Sequence, residues 1–401
     1  MSVSILYHCF GLVKLEYLKT EFYQGKVIFW IRLRDKICSR CQSYQVIQKG
    51  KKYRMIQTVP VGLKLAFINL EVRRFHCADC GAIAQESYDQ IAAPKKHYSK
   101  KLVQFVCSLS HYMTVNDIAS YLELHWNTIW EMLSSYLEKF VPTARELRKL
   151  RHIGIDEIAV RKGHHYLTLV VDHDSGRVVH IAEGRNAASV RSFLKRLRRL
   201  KAPIEVITTD MWAPYISAII AILPSSHIVY DKYHIIANLN KCIDELRRKE
   251  YSLNSKLDRS IIKGTRFLLL KHPDKLNENA REKLKKLFRV NKSLATCYQM
   301  KEMLYQLWRC QGIDNAETFL ITWCKMAQET AIQPLIKFAN LLLAHRTAVL
   351  NYFKYPFTNA RVEGLNNKIK TLKRQAYGFR NMTNFFLKIF SIHKSRYALI
   401  G

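Results

Sequence analysis

Three acidic residues stand in settings that suit metal-assisted chemistry. Asp156 lies inside the apolar run HIGIDEIAV, Asp210 ends the run IEVITTD, and Glu363 opens the basic, amide-rich segment NARVEGLNNKIKTLKR. Magnesium, or manganese in its place, prefers hard oxygen ligands such as carboxylates. Two ions held by acids from two strands and a helix can clamp the attacking and leaving oxygens of a phosphodiester exchange. The three acids therefore predict a two-metal site.

Each acid also has a purely structural interpretation. Because successive side chains of a strand point to opposite faces, only one of Asp156 and Glu157 can face a given site, and Asp156 could be a strand-edge acid in a salt bridge. Asp210 could cap a helix, although open α/β sheets do place ligands at the carboxyl ends of their strands. Glu363 could belong to a solvated helix face with ordinary ion pairs.

The segment around Glu363 has the pattern of an amphipathic helix. An apolar stripe at helical spacing consists of Val362, Leu365, Ile369 and Leu372. A neighbouring polar stripe consists of Glu363, Asn367, Lys370 and Arg374. One helix face therefore offers a metal-binding carboxylate followed by donors for phosphate oxygens. We expect Lys370 and Arg374 to contact phosphates, with Asn367 on the same DNA-facing stripe.

The net charge indicates a polyanionic partner. The 401 residues include 65 Lys and Arg against 32 Asp and Glu, which gives a net charge of +33. Neutralising phosphates releases counterions and so favours binding of such a chain to nucleic acid. A solvated basic surface is the alternative, because charge alone does not identify the partner. We expect the partner to be DNA.

The start of the chain and its hydropathy argue against export and against a membrane location. Residues 1–20 lack a basic start, and His8 interrupts the one short apolar stretch there. No window reaches the roughly 18 uncharged apolar residues that a membrane span needs. We therefore expect a cytoplasmic, nucleoid-associated bacterial protein whose ten cysteines are reduced.

Four cysteines have the spacing of a zinc site. Cys38 and Cys41 form one C-x-x-C pair, and Cys77 and Cys80 form another after a spacer of 35 residues. Paired thiolates of this kind suit a tetrahedral structural zinc ion. The spacer is longer than usual for a zinc finger but can accommodate a β-hairpin, as in a zinc ribbon. A redox C-x-x-C motif or four unrelated thiols are the alternatives.

The first 145 residues suggest two small DNA-binding modules. Residues 1–95 are predicted to be β-rich and zinc-ribbon-like, with strands at VIFWIRL (27–33) and AFINLEV (66–72). Residues 96–145 are predicted to be helical, with a turn near Leu124-His125 typical of a helix-turn-helix. A chance pair of short helices is the alternative. Trp126, Asn127 and Thr128 would begin the second helix, where a recognition helix contacts bases.

Residues 150–401 predict an α/β ribonuclease-H-like catalytic core. Three strands come first, and a turn at 174–176 joins the second strand to the third. A crossover helix follows, and then two further strands flanked by helices. Residues of about 236–350 show only helical patterns and predict an all-α insertion. Asp231 and His234 follow the fifth strand, where metal binding, DNA contact and simple helix capping all remain open.

These motifs together resemble a known family. The matching stretches are the two cysteine pairs with LEVRRFHCADCG, then DIASYLELHWNTIW and GIDEIAVRKGHHYLTLVVD, then TTDMWAPY, LPSSHIVYDKYHI and TNARVEGLNNKIKTLKRQAYGFRN. They occur in the same order over nearly the whole chain as in bacterial insertion-sequence transposases of the "ISL three" (ISL3) family, which carry a DDE catalytic domain. The resemblance implies that Asp156, Asp210 and Glu363 are the DDE triad, and that His234 helps to position DNA.

The resemblance also implies a reaction and its partners. We expect magnesium-dependent strand cleavage and strand transfer on the terminal inverted repeats and on target DNA. We expect a homodimer or larger assembly on DNA, because two ends must be handled together. A non-catalytic zinc and helix-turn-helix regulator, or a ribonuclease-H-like nuclease that cuts without joining, is the competing interpretation.

Overall fold

The computed structural model describes residues 5–161, 165–253, 255–358, 360–379 and 381–394. These residues form two compact units, which are described separately below. The first unit contains 5–140 and 371–391, and the second contains 141–370 and 392–394.

Ten strands and seventeen α-helices are present in the described residues. The strands are β1 (Leu15–Tyr23), β2 (Lys26–Leu33), β3 (Val46–Val61), β4 (Lys64–Cys77), β5 (Ile83–Gln85), β6 (His152–Arg161), β7 (His165–Asp172), β8 (Val178–Glu183), β9 (Val206–Thr209) and β10 (His227–Tyr230). The helices are α1 (Ile5–Phe10), α2 (Lys100–Leu109), α3 (Val115–Tyr121), α4 (Trp126–Leu137), α5 (Ala144–Leu147), α6 (Ala187–Arg199), α7 (Ala213–Ile222), α8 (Lys232–Leu253), α9 (Lys256–Ile262), α10 (Arg266–Leu270), α11 (Glu278–Val290), α12 (Lys292–Leu304), α13 (Ile313–Glu329), α14 (Gln333–Ala344), α15 (Arg346–Lys354), α16 (Ala360–Gln375) and α17 (Met382–Ser391).

The first unit is built on a twisted sheet with the strand order β1-β2-β4-β3, to which β5 adds by pairing with β4. The predicted strands at 27–33 and 66–72 are confirmed within β2 and β4. The alternation in β4 buries Ala66, Ile68, Leu70 and Val72 on one face, as its sequence pattern indicates. The long hairpin of β3 and β4 ends at the second cysteine pair, so the sheet supports the four thiols.

Helices α2, α3 and α4 share a small apolar core that includes Leu102, Ile118, Ile129 and Leu133. Thr114 starts α3 with a capping box, because its side chain accepts from the N–H of Asp117 while the Asp117 carboxylate accepts from the N–H of Thr114. The chain turns between α3 and α4 at residues 122–125, where the sequence predicted a break.

The second unit contains a five-stranded sheet in the order β10-β9-β6-β7-β8. Strands β6, β7 and β8 are antiparallel neighbours, whereas β9 and β10 run parallel to β6. The crossover through α6 connects β8 to β9, and α7 connects β9 to β10. These elements match the predicted succession of three strands, a helix, and two more strands flanked by helices.

Helices α8 to α15 follow β10 and enclose the largest apolar cluster of the protein, which includes Trp323, Phe338 and Leu342. The described residues from 232 to 354 contain no strand, as the sequence predicted for about 236–350. The first helix begins at Lys232, four residues before the predicted start, because it follows β10 after the single residue Asp231.

The two compact units differ from the three predicted domains, because residues 5–140 form one unit where two modules were predicted, and part of the C-terminal region joins it. The sequence interpretation assigned everything from 150 onward to the catalytic core, whereas residues 371–391 pack with the first unit. The reason is the apolar face of α17: Leu387 joins the core of α2, α3 and α4. The buried Lys388 ammonium also donates to the carbonyl of Ser110 at 3.0 Å. Every described helix is too short or too polar to cross a membrane.

Candidate active site and zinc site

Strand β6 presents Asp156 and Glu157 on opposite faces of the sheet. The Asp156 Oδ2 atom accepts a hydrogen bond from the Asn366 side-chain amide at 2.9 Å, so it faces helix α16. Its Oδ1 atom accepts from the backbone N–H of Glu157 at 2.8 Å. The neighbouring Ile155 belongs to the core that α6 and α7 form on the other face. Asp156, and not Glu157, therefore faces α16.

Asp210 follows the last residue of β9 and lies beside Asp156. The parallel pairing of β6 and β9 ends with Gly154 opposite Thr208, so each acid stands two residues past the last pair. Neighbouring strands are about 4.8 Å apart. Burial raises the pKa of Asp156, and the charge of Asp210 raises it further. Burial also raises the pKa of Asp210. The two carboxyl groups are therefore close enough to repel each other when ionised.

Helix α8 places positive charge next to both acids. Against the effect of burial, a protonated His234 lowers the pKa of Asp156 and of Asp210. The charge of Lys241, two turns further along α8, also lowers the pKa of Asp210. Asp231 has a structural part here, because its Oδ1 atom accepts from the N–H of Tyr233 at 2.8 Å and so starts the helix.

Glu363 lies in the first turn of α16, and the predicted apolar stripe of this helix is confirmed at Val362, Leu365 and Ile369. Asn366, one turn after Glu363, makes the hydrogen bond to Asp156. Residues three apart on a helix have Cβ atoms about 5–6 Å apart. Glu363 is therefore within one helical turn of the residue that contacts Asp156.

Packing at the start of α16 holds the helix against this strand. The Arg361 guanidinium donates to the carbonyl of His173, and the His173 Nε2 atom lies 2.7 Å from the Thr208 hydroxyl. Gly154 makes room for this contact, because a Cβ atom there would lie 2.8 Å from the His173 ring. The glycine of the GIDE motif thus permits the close approach of His173 to the sheet.

Asp156, Asp210 and Glu363 do not form one tight cluster. Among the described His, Cys, Asp and Glu residues, only the four cysteines form a group whose ligand atoms all lie within 4.8 Å of one another. Two magnesium ions about 3.5–4 Å apart, each about 2 Å from its ligands, separate the outermost oxygens by up to roughly 8 Å. The ligands of two ions can therefore be spread more widely than 4.8 Å.

The polar atoms at this place suit a hard cation. The Asp210 Oδ1 and Asn366 Oδ1 atoms are buried and have no hydrogen-bond partner among the described residues. A buried, unpaired carboxylate is costly unless a cation compensates it. Asp156, Asp210 and Glu363 offer carboxylate oxygens, which are the ligands that magnesium prefers. These residues would hold the ions.

Glu157 lies on the opposite face of β6 among buried polar groups. Burial, followed by the charge of Asp210, raises the pKa of Glu157 to about 7, while a hydrogen bond from Tyr215 lowers it. The Tyr215 hydroxyl in turn lies 2.8 Å from that of Thr168, which lies 2.8 Å from that of Ser189. Glu157 therefore belongs to a polar network beneath α6 and α7.

Asn366 is a functional candidate that the sequence interpretation missed. It fixes one oxygen of Asp156, as outer residues do for metal-bound carboxylates. We expect Asn366→Ala to lower the rate of metal-dependent DNA cleavage about 10–100-fold. The rate should be measured at saturating DNA and across a magnesium titration. Asn279→Ala, which changes an exposed residue of α11, should leave the rate unchanged. Equal rates for the two variants would contradict a positioning role.

The four predicted zinc ligands do come together. The Sγ atoms of Cys38 and Cys80 are 3.8 Å apart, and those of Cys41 and Cys77 are 3.5 Å apart. Four sulfurs at 2.3 Å around a tetrahedral zinc ion are about 3.8 Å from one another. The group thus has the size and ligand type of a structural zinc site, and four protein ligands leave no position open for chemistry.

The predicted DNA-contacting residues lie at accessible positions. Trp126 is 42% exposed at the start of α4 and stacks on Trp130 with ring centres 6.1 Å apart. Asn127 is exposed beside it, whereas Thr128 is half-buried. On α16, the side chains of Asn367, Lys370 and Arg374 are exposed. Their contacts with DNA stay predictions.

One carboxylate on β6 and another just past the end of β9, in a chain of net charge +33, suit a broad class of protein: enzymes that act on nucleic acids with the help of metal ions. Comparison with known proteins narrows this class. Residues 153–389 match the DDE transposase domain of the ISL3 family, and residues 34–80 match the zinc finger of the transposases of IS204, IS1001, IS1096 and IS1165. The chain belongs to the ISL3 family of insertion-sequence transposases.

Two sequence relatives agree with this assignment. The transposase of insertion sequence IS1001 from Bordetella parapertussis is 29% identical over 357 residues, which cover 88% of this chain and 87% of the relative. The transposase of IS1557 from Mycobacterium tuberculosis is 25% identical over 390 residues, which cover 89% of this chain and 86% of the relative. The Drosophila P element transposase strand transfer complex aligns with a TM-score of 0.36 and 8% identity, over 80% of this chain and 95% of that chain.

Proposed function

We propose that this transposase binds the terminal inverted repeats of its own element and performs magnesium-dependent strand cleavage and strand transfer through Asp156, Asp210 and Glu363. The observation that supports this most strongly is the hydrogen bond from Asn366 to Asp156. It joins the glutamate helix to the strand whose neighbour ends in Asp210. In this proposal the second unit, residues 141–370 and 392–394, is a ribonuclease-H-like core with a helical insertion at about 236–350.

The side chains have distinct parts in this proposal. The three acids hold the ions, Asn366 orients Asp156, and His234 lies close enough to both aspartates to interact with the DNA strand bound there. Lys370 and Arg374, with Asn367, contact phosphates of the same strand. When bound, the magnesium pair lowers the pKa of the attacking oxygen and stabilises the departing 3′-oxygen.

Two phosphoryl transfers follow. In the first, a water oxygen bonds to phosphorus and the bond from phosphorus to the 3′-oxygen breaks, so that the element end keeps a 3′-hydroxyl. In the second, this hydroxyl bonds to a target phosphorus and displaces the target's own 3′-oxygen, while its proton passes to solvent. The protein contributes positioning and charge stabilisation, with no covalent enzyme intermediate.

The first unit supplies recognition in this proposal. The zinc ribbon at 1–95 and the helix-turn-helix at 96–145 bind the inverted repeat, with Trp126, Asn127 and Thr128 at the base edges. Two copies of the chain bring the two ends together. Specific binding by this unit accounts for the choice of DNA, and the second unit accounts for the reaction.

A strand-transfer assay with pre-cut ends tests the proposal. Purified protein is mixed with magnesium, a supercoiled target plasmid and labelled duplexes of the element end. The duplexes are already cut at the element's 3′ end, so that its 3′-hydroxyl is free. We expect joined products in which label enters the plasmid. Cutting without joining would favour a nuclease, and binding without any strand breakage would favour a non-catalytic regulator.

A further inference from the structure

Helix α6 has a strongly basic outer face. Its apolar side chains, Val190, Phe193, Leu194 and Leu197, are buried in the core of the second unit. Its five basic side chains are all exposed: Arg191, Lys195, Arg196, Arg198 and Arg199. Arg191, Lys195 and Arg198 follow one another at helical spacing, so they form a continuous stripe on the outside of the helix.

The surrounding sequence has no compensating acid. Residues 184–204 contain seven basic residues, namely the five of α6 with Arg185 and Lys201, and no Asp or Glu. Within the described part of the chain, none of the five side chains of α6 takes part in an ion pair. Like charges this close repel one another and destabilise a helix slightly. Packing of the unit therefore does not explain the cluster.

Another helix of the same unit provides a comparison. Helix α11 also has 13 residues and five basic side chains, but Glu278 and Glu282 are interspersed among them. Glu282 stands three and four residues before Lys285 and Lys286, the spacing of stabilising pairs on a solvated helix. Helix α6 contains no acidic residue, so its composition differs from that of α11.

The basic face begins near the carboxyl end of β9, on the face of the sheet opposite Asp156. The Arg185 guanidinium, just before α6, lies 4.6 Å from the ring centre of Tyr166 and 5.2 Å from that of Trp212. Trp212 is two residues after Asp210, and its indole N–H donates to the carbonyl of Arg185 at 3.0 Å. The thirteen residues of α6 then extend about 18 Å further. That length corresponds to roughly five base pairs of duplex DNA.

We propose that the outer face of α6 is a further DNA-binding surface, which contacts the sugar-phosphate backbone of duplex DNA on the face of the sheet opposite Asp156. The inference rests on the proposed function. Its occupant is duplex DNA because the surface offers only cationic donors, which bind phosphates in any sequence. Each phosphate contact releases counterions and steepens the salt dependence of binding.

Salt-dependent binding of a 40-base-pair duplex of random sequence tests the proposal. The α6 variant is R191Q/K195Q/R198Q/R199Q, and the matched control on α11 is K283Q/K285Q/K286Q/R289Q. Each removes four exposed charges from a 13-residue helix and introduces glutamine, a good helix former. The slope of log Kd against log salt should fall by about 2–4 in the α6 variant, since each phosphate contact contributes about 0.9. In the α11 control the slope of log Kd against log salt should differ from that of the wild-type protein by less than about 0.5.

The outcomes separate this inference from the proposed function. Equal slopes in the α6 and α11 variants would overturn the α6 surface, even if the wild-type protein cuts and joins element ends. A wild-type protein that does not bind duplex DNA would overturn both. If the fourfold variant does not fold, K195Q and R199Q are measured singly, with K285Q as control. Each should lower the slope by about 1, and no change in either would contradict the proposal.

Discussion

Asp210→Asn is expected to lower the rate of DNA-strand cleavage by at least about a thousandfold while DNA binding survives. The substitution keeps the shape of the side chain but removes the charge that a divalent ion needs. The loss of metal-based stabilisation of the attacking and leaving oxygens costs several kcal/mol, and each 1.36 kcal/mol is about tenfold in rate. Single-turnover cleavage of a labelled element end measures the rate, and a gel shift in calcium measures binding.

Asp156→Asn and Glu363→Gln should behave in the same way, because the proposed function assigns all three acids to one site. Asp274→Asn is the matched control, since its side chain is 86% exposed in the helical region and remote from β6 and β9 in sequence. This control should cleave at the wild-type rate. Persistent magnesium-dependent cleavage by the Glu363→Gln protein would remove Glu363 from the site and leave the two aspartates without their third partner.

Cys77→Ser is expected to abolish zinc binding and specific recognition of the element end. Cys77 is fully buried at the end of β4, so a serine there replaces a soft thiolate with a poor zinc ligand inside a closed site. Structural zinc contributes about 10–16 kcal/mol in small zinc-binding domains, which is folding free energy. Zinc content, thermal unfolding and gel shifts on the element end together measure the effect.

The control for this variant is Cys9→Ser, which changes an exposed thiol of the same unit and should keep one zinc per chain. Specific binding should fall at least about a hundredfold in Cys77→Ser and stay unchanged in Cys9→Ser, in line with the size of the zinc contribution. Full zinc content and wild-type binding in the Cys77→Ser protein would show that the four thiols do not form the metal site.

Local patterns of the sequence were sufficient to predict β2 and β4 of the first sheet and all five strands of the second, whereas β1, β3 and β5 were not predicted. The alternation in β4 and the apolar runs around Asp156 and before Asp210 depend on nearest neighbours along the chain, so they can be recognised without the fold. The four cysteines are a similar case, because two short motifs need only one hairpin between them to meet.

Contacts between distant segments could not be predicted in the same way. Asn366 falls between Val362 and Ile369 on the buried side of α16, and its position there shows that it is buried but not that it faces Asp156. The polar stripe of the sequence interpretation therefore contained the exposed Asn367 in place of Asn366. Two adjacent asparagines next to an apolar stripe are the one signal that could have drawn attention to it.

The packing of residues 371–391 with the first unit was also beyond the sequence pattern. The apolar residues of α17 predict a buried helix face, but they do not identify the core that covers it. Leu387 and Lys388 settle this by packing with α2, α3 and α4. The role of His234 was open for a related reason, because its closeness to both aspartates depends on how α8 leaves β10.

The location of divalent ions in crystals of the protein with element-end DNA tests the central claim most directly. Crystals grown with manganese in place of magnesium give anomalous scattering that marks each ion. The account predicts two peaks about 3.5–4 Å apart, bound by Asp156, Asp210 and Glu363 beside a DNA phosphate. Manganese absent from these side chains, or a Glu363 carboxylate directed away from ions held by the two aspartates, would contradict it.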